Sequence, residues 1–181
     1  MTESASTILT PWSNFHIMLG SSAASLTGLM FVVITLVTGG ERRRSEDGIS
    51  AFSTPTVAHF GTALLVSMLL AAPWHSLIAP AIAVGLIGLS GVVYLLRVIY
   101  RARRISTYRP DLEDWTWYTV LPLIAYGAIL AGAIMLFTIP ADGVFSLAGG
   151  SVLLIFIGIR NAWDIVTFIA IGQPDKPPDK K

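Results

Sequence analysis

Five stretches of this chain are apolar for longer than a folded water-soluble domain can hide. They run roughly from Asn14 to Val37, Pro55 to Ala72, Leu77 to Tyr100, Thr116 to Ile139 and Val144 to Ile171. A helix needs ~20 residues to cross the ~30 Å hydrocarbon core of a bilayer, and the stretches are of that order. None alternates polar and apolar residues in ten-residue units, so a transmembrane barrel is not expected. In lipid every backbone N–H and C=O must be satisfied within its own segment, which leaves α-helices. Composition agrees: 54% of the residues are hydrophobic and 13% charged, against ~25% charged in soluble domains. The expected fold is an all-α membrane protein, a single five-helix transmembrane bundle over residues 1–173, with a disordered cytoplasmic tail over 174–181.

Breakers bound the stretches. Gly39-Gly40 closes the first, Pro55 opens the second and Ala72-Pro73 ends it. Pro140-Ala-Asp-Gly143 reads as a tight turn between the fourth and fifth, and Pro174 follows the fifth. Proline near helix starts, and glycine or proline just past their ends, is the usual punctuation.

The positive charges set an orientation. Of the twelve Lys+Arg, all but Arg160 fall in three segments: Arg42–Arg44, the connection holding Arg97, Arg101, Arg103, Arg104 and Arg109, and the tail. With five crossings these segments share one side, and the positive-inside rule makes it cytoplasmic, with the N-terminus outside. Residues before Trp12 carry no basic charge, unlike the start of a cleavable signal peptide, so the first stretch reads as an uncleaved span. Trp12 and Trp74 fall at the outer boundary and Trp115, Trp117 and Tyr118 at the inner one, as interfacial anchors do. The expected location is a bacterial cytoplasmic (inner) membrane, and the expected partner is the bilayer itself.

In the first span Gly20, Ala24 and Gly28 recur every four residues, as do Ser21 and Ser25. At ~3.6 residues per turn they form one face of small side chains, which lets another helix approach closely. The segment from Phe15 to Thr35, with its Leu26-Thr-Gly-Leu-Met-Phe-Val32 run, resembles the first helix of a group of small bacterial multi-pass membrane proteins of unknown function. Gly158-Ile-Arg-Asn-Ala-Trp-Asp164 is similar to their last helix. Some members carry a label as modulators of a membrane-bound AAA protease. The resemblance implies a bacterial inner-membrane protein and brings no activity with it.

The last span carries the strongest polarity at membrane depth: Arg160, Asn161 and Asp164. Arg160 and Asp164 are four apart and can pair on one face. Measured inward from Val144 they lie near the inner interface; measured back from Ile171, Arg160 lies near mid-membrane. Partners at suitable depth are His59, Tyr94 and Tyr126, and His59 beside Asp164 would make a couple that titrates near neutrality.

Other chemistry lacks its residues. There is no cysteine, so thiolate catalysis and Cys-ligated metals are excluded. His16 and His75, near the outer surface, have no carboxylate at metal-ligand spacing. Gly88-Leu-Ser-Gly91 is one residue short of a nucleophile elbow, and no phosphate-binding loop occurs. No cofactor, metal or nucleic-acid partner is expected. The clusters Arg42, Arg43, Arg44 and Arg101, Arg103, Arg104 suit anionic lipid headgroups or a cytoplasmic partner. The expected function is non-catalytic: an accessory, regulatory or assembly protein acting through helix packing with itself or another membrane protein. The alternative is a small oligomeric ion or proton channel or transporter built on Arg160 and Asp164.

Overall fold

The computed structural model describes residues 5–38, 46–102 and 115–171, and those residues are all-helical, without strands. Helix α1 (Ala5–Leu9) runs through a 3-10 turn (Thr10–Trp12) into α2 (Ser13–Thr38). Then come α3 (Glu46–Ala71), α4 (Ile78–Ala102), α5 (Leu121–Met135) with a π turn (Thr116–Val120) before it, and α6 (Pro140–Ile171). Four helical stretches, Ala5–Thr35, Ile78–Arg97, Thr116–Met135 and Pro140–Asp164, are long and apolar enough to cross a membrane. The apolar part of α3, Pro55–Ala71, is shorter.

Two prolines act differently from their expected roles. Pro55 was expected to open a helix, yet it lies inside α3, which starts at Glu46. The missing N–H of Pro55 costs one backbone bond without stopping the helix. The expected turn at Pro140–Gly143 is instead the first turn of α6. Proline is pre-set for the first helical position, Asp142 favours that end of the dipole, and the reversal occupies 136–139. A third proline explains the π turn. Pro122 cannot donate to the carbonyl one turn back, and the chain widens so that the Leu121 N–H reaches the Thr116 oxygen.

Helix α6 packs most extensively on α5 and α3, α4 on α5, and α2 on α3. The contacts are close because glycines face bulk. A Cβ at Gly91 of α4 would run into the Tyr126 ring, and one at Gly158 of α6 into the Phe60 ring. Where α5 turns back into α6, backbone meets backbone: a Cβ at Gly132 would stand 2.8 Å from the Gly143 carbonyl oxygen. Gly85 and Gly88 approach Ala133 and Leu130, and Gly150 approaches Ala125. These pairs make α4/α5 and α5/α6 antiparallel. Apolar side chains also crowd the outside: Met18 is 69% exposed, Phe31 60%, Leu86 62% and Phe156 62%. Such a contiguous apolar exterior is unsuited to water.

Gly91→Ala is expected to lower the unfolding midpoint in detergent, because overpacking costs about 1–3 kcal/mol. Gly149→Ala, where a Cβ meets nothing within 4 Å, should leave the midpoint unchanged or raise it. Equal midpoints for the two variants would remove the glycine notch from this account.

Candidate functional site

Two sets of polar side chains stand out among the described residues. The first is buried and neutral. The Tyr126 hydroxyl lies 3.1 Å from Nδ1 of His59 and 3.3 Å from Oγ1 of Thr62. His59 is 3% and Tyr126 5% exposed, so this network joins α3 to α5 inside the bundle. The Gly91 notch that receives the tyrosine ring also fixes where its hydroxyl ends.

The second set is half-exposed and charged. Arg160 and Asp164 form an ion pair along α6, and the Arg160 guanidinium stands 5.7 Å above the Trp117 ring. Trp117 belongs to the π turn that begins the helical run into α5. Arg160 is also about 30 Å along α6 from Pro140, one bilayer core's thickness. Both measures put the pair toward the end of the bundle where the α5 run starts, away from its middle. There the guanidinium rests over an indole face, a favourable cation–π arrangement.

Of the six residues expected to cluster, the structure therefore joins Arg160 to Asp164 and His59 to Tyr126. His59 and Asp164, weighed as a couple, each have another partner. Tyr94 is 48% exposed on α4. Asn161, next to Arg160 in sequence, is turned the other way: it is 1% exposed, and neither amide atom has a hydrogen-bond partner. It lies on the α6 face that carries Gly158, one turn further on, against α3.

The expected packing face of α2 is divided. Gly20 is buried, and its Cβ would lie 3.2 Å from that of Ser67. Ser21, Ala24, Ser25 and Gly28 are exposed, and a Cβ at Gly28 would meet nothing within 4 Å. The buried face is instead His16, Gly20, Ala23 and Met30. The serines outside it turn inward on their own helix: Ser25 donates to the Ser21 carbonyl and Ser22 to that of Met18, both at 2.9 Å.

Sequence reasoning missed His16, Ser67, Thr62 and the role of Trp117. His16, expected toward the outer end of its span, is buried in the bundle, 1% exposed. Only the heptad-like spacing of His16, Ala23 and Met30 hinted at that. Arg42, Arg43, Arg44, Arg103, Arg104 and the tail 174–181 lie outside the described residues, and Arg101 is described only as part of the α4 backbone. Among the described residues no three His, Asp or Glu side chains gather as a metal site would require.

No protein-family model, curated protein or solved structure matches this chain. The likeness of its first and last helices to small bacterial membrane proteins rests on the quoted residues alone.

Tyr126→Phe should destabilise the protein by about 1 kcal/mol, the usual net worth of a buried hydrogen bond, and by more than Thr62→Ala. Asp164→Asn should cost less than about 1 kcal/mol, because the pair is partly exposed. Denaturant titration of the three variants checks the order.

Proposed function

We propose that this chain is a multi-pass protein of a bacterial inner membrane, crossing it five times with the N-terminus outside and the C-terminus in the cytoplasm. We further propose that it works without catalysis, as an accessory or assembly protein that associates through the outer face of α2. Helix α3 supplies the fifth crossing in this reading. Its 26 residues are long enough, and its packing between α2 and α6 shields the polar groups on its shorter apolar part.

The observation that carries the reading is the stripe of Ser21, Ala24, Ser25 and Gly28 on the outside of the bundle. With the Ser25 hydroxyl bonded to its own backbone, the stripe is smooth, and a second helix can lie close along it. Dispersion and close packing drive helix association where lipid removes the hydrophobic advantage. The partner is a second copy or another membrane protein.

A second reading, a small ion or proton channel, draws support from the buried His59–Tyr126–Thr62 network, since intramembrane titratable groups mark pathways by default. Proton or ion flux in liposomes separates the two. Flux that changes with His59→Leu or Asp164→Asn favours the channel, and none above empty liposomes rules it out.

Ala24→Leu with Gly28→Leu should abolish association in mild detergent, measured by cross-linking and by mass in solution. Because nothing lies within 4 Å of a Cβ at Gly28, the fold should survive. Gly20→Leu, pressing on Ser67, should damage the fold itself. Undiminished association in the double variant would overturn the proposal.

A further inference from the structure

Five buried side-chain atoms among the described residues have no hydrogen-bond partner in the protein, and three of them lie on one seam. They are both ring nitrogens of His16 and the hydroxyl of Ser67. His16 and Gly20 are one turn apart on the buried face of α2, about 6 Å along the axis. Gly20 in turn faces Ser67 of α3, whose Oγ lies 3.9 Å from the position its Cβ would take. Glycine at that point places no side chain of its own beside the Ser67 hydroxyl.

Helix α6 closes the third side. Phe60 of α3 packs on Gly158 of α6, and both Ser67, one heptad after Phe60, and Ser151, one heptad before Gly158, are buried. Ser151 is fully buried, and its hydroxyl donates to the Leu147 carbonyl at 2.8 Å, so it still has lone pairs to offer. The aromatic neighbours of the His16 ring close to it in sequence are Trp12, in the preceding 3-10 turn, and Phe15, with centroids 6.3 and 5.3 Å away. Neither brings a charge.

We propose that the α2–α3–α6 seam holds a hydration site, in which water bridges His16 and Ser67 below the Trp12 end of the bundle. A neutral imidazole presents one donor and one acceptor, and a serine hydroxyl presents both. Their common partner must therefore donate and accept at once, must be uncharged, and must be small enough to enter a packed seam. Water meets all three conditions, and a buried water makes about three such bonds. Leaving these atoms unbonded would cost about 1–3 kcal/mol each. The site is one helical turn from Trp12, so water has a short way in from that end. The inference concerns the interior of one chain and stands whether or not α2 pairs with another helix.

Solid-state NMR of the full-length protein with nitrogen-15 histidine in liposomes tests it. Only three histidines are present, and His16→Gln assigns the His16 signals by their loss. The expected result is magnetisation transfer from water to the His16 ring nitrogens, with shifts typical of hydrogen-bonded imidazole. Ser67→Ala removes one anchor and should weaken that transfer by roughly half or more. No water transfer to His16 in the unaltered protein would overturn the proposal. Transfer unchanged by Ser67→Ala would overturn the bridge.

Discussion

The bundle depends on close approach at glycine. Between lipid-immersed helices there is no water to expel, so contact must come from dispersion and from the absence of Cβ atoms. Two kinds of contact result. At Gly91 and Gly158 a notch on one helix takes an aromatic ring from its neighbour. At Gly132 and Gly143 two backbones touch directly. The first kind fixes rotation, since a ring enters one notch only. The second fixes distance, and it holds α5 and α6 as a tight hairpin around which α3 and α4 assemble.

The same contacts decide where polarity goes. Tyr126 carries its hydroxyl to His59 and Thr62 because its ring is seated at Gly91. Asn161 is buried and Arg160 half-exposed because successive positions on a helix are about 100° apart, and α3 covers one and not the other. Among the described residues the Arg160–Asp164 pair is thus kept partly exposed, beside the Trp117 ring, while the buried polar side chains are His, Thr, Ser, Tyr and Asn. Burying the ions would cost several kcal/mol each even after relaxation, whereas neutral groups need only partners.

Much of this was legible in the residues. Helix existence followed from apolar length, and the Arg160–Asp164 pair from its four-residue spacing. What spacing does not reveal is which face turns inward. Gly20, Ala24 and Gly28 make as regular a row as Gly85, Gly88 and Gly91. Yet only Gly20 of the first row is buried, while the second row faces Ala133, Leu130 and Tyr126 on α5. Long-range packing decides between them, and a local pattern carries none of it. Pro55 and Pro140 misled for a related reason: proline marks the loss of one N–H, and the surroundings decide whether that falls at a helix start or within a turn that can bear it. For His16 the seven-residue spacing with Ala23 and Met30 was the one inward sign, because a lone histidine reads alike at a surface and in a core.

The link between α3 and α4 has a consequence for how the chain enters its membrane. At the end of α3 the indole of Trp74 donates to the Leu69 carbonyl at 2.6 Å, an oxygen that the Ala72 N–H reaches only at 3.4 Å. The backbone adds a bond from Trp74 N–H to the Ala72 oxygen at 3.0 Å. A reversal that satisfies its own polar groups carries less hydration to be stripped on the way across. Alone, α3 is a poor candidate for translocation, with a histidine and several hydroxyls in a short apolar run. Joined through that short bend to α4, whose stretch Ile78–Arg97 is long and apolar enough to cross a membrane by itself, it has its covalent neighbour to supply the driving force, and its polar side is covered afterwards by packing on α2 and α6.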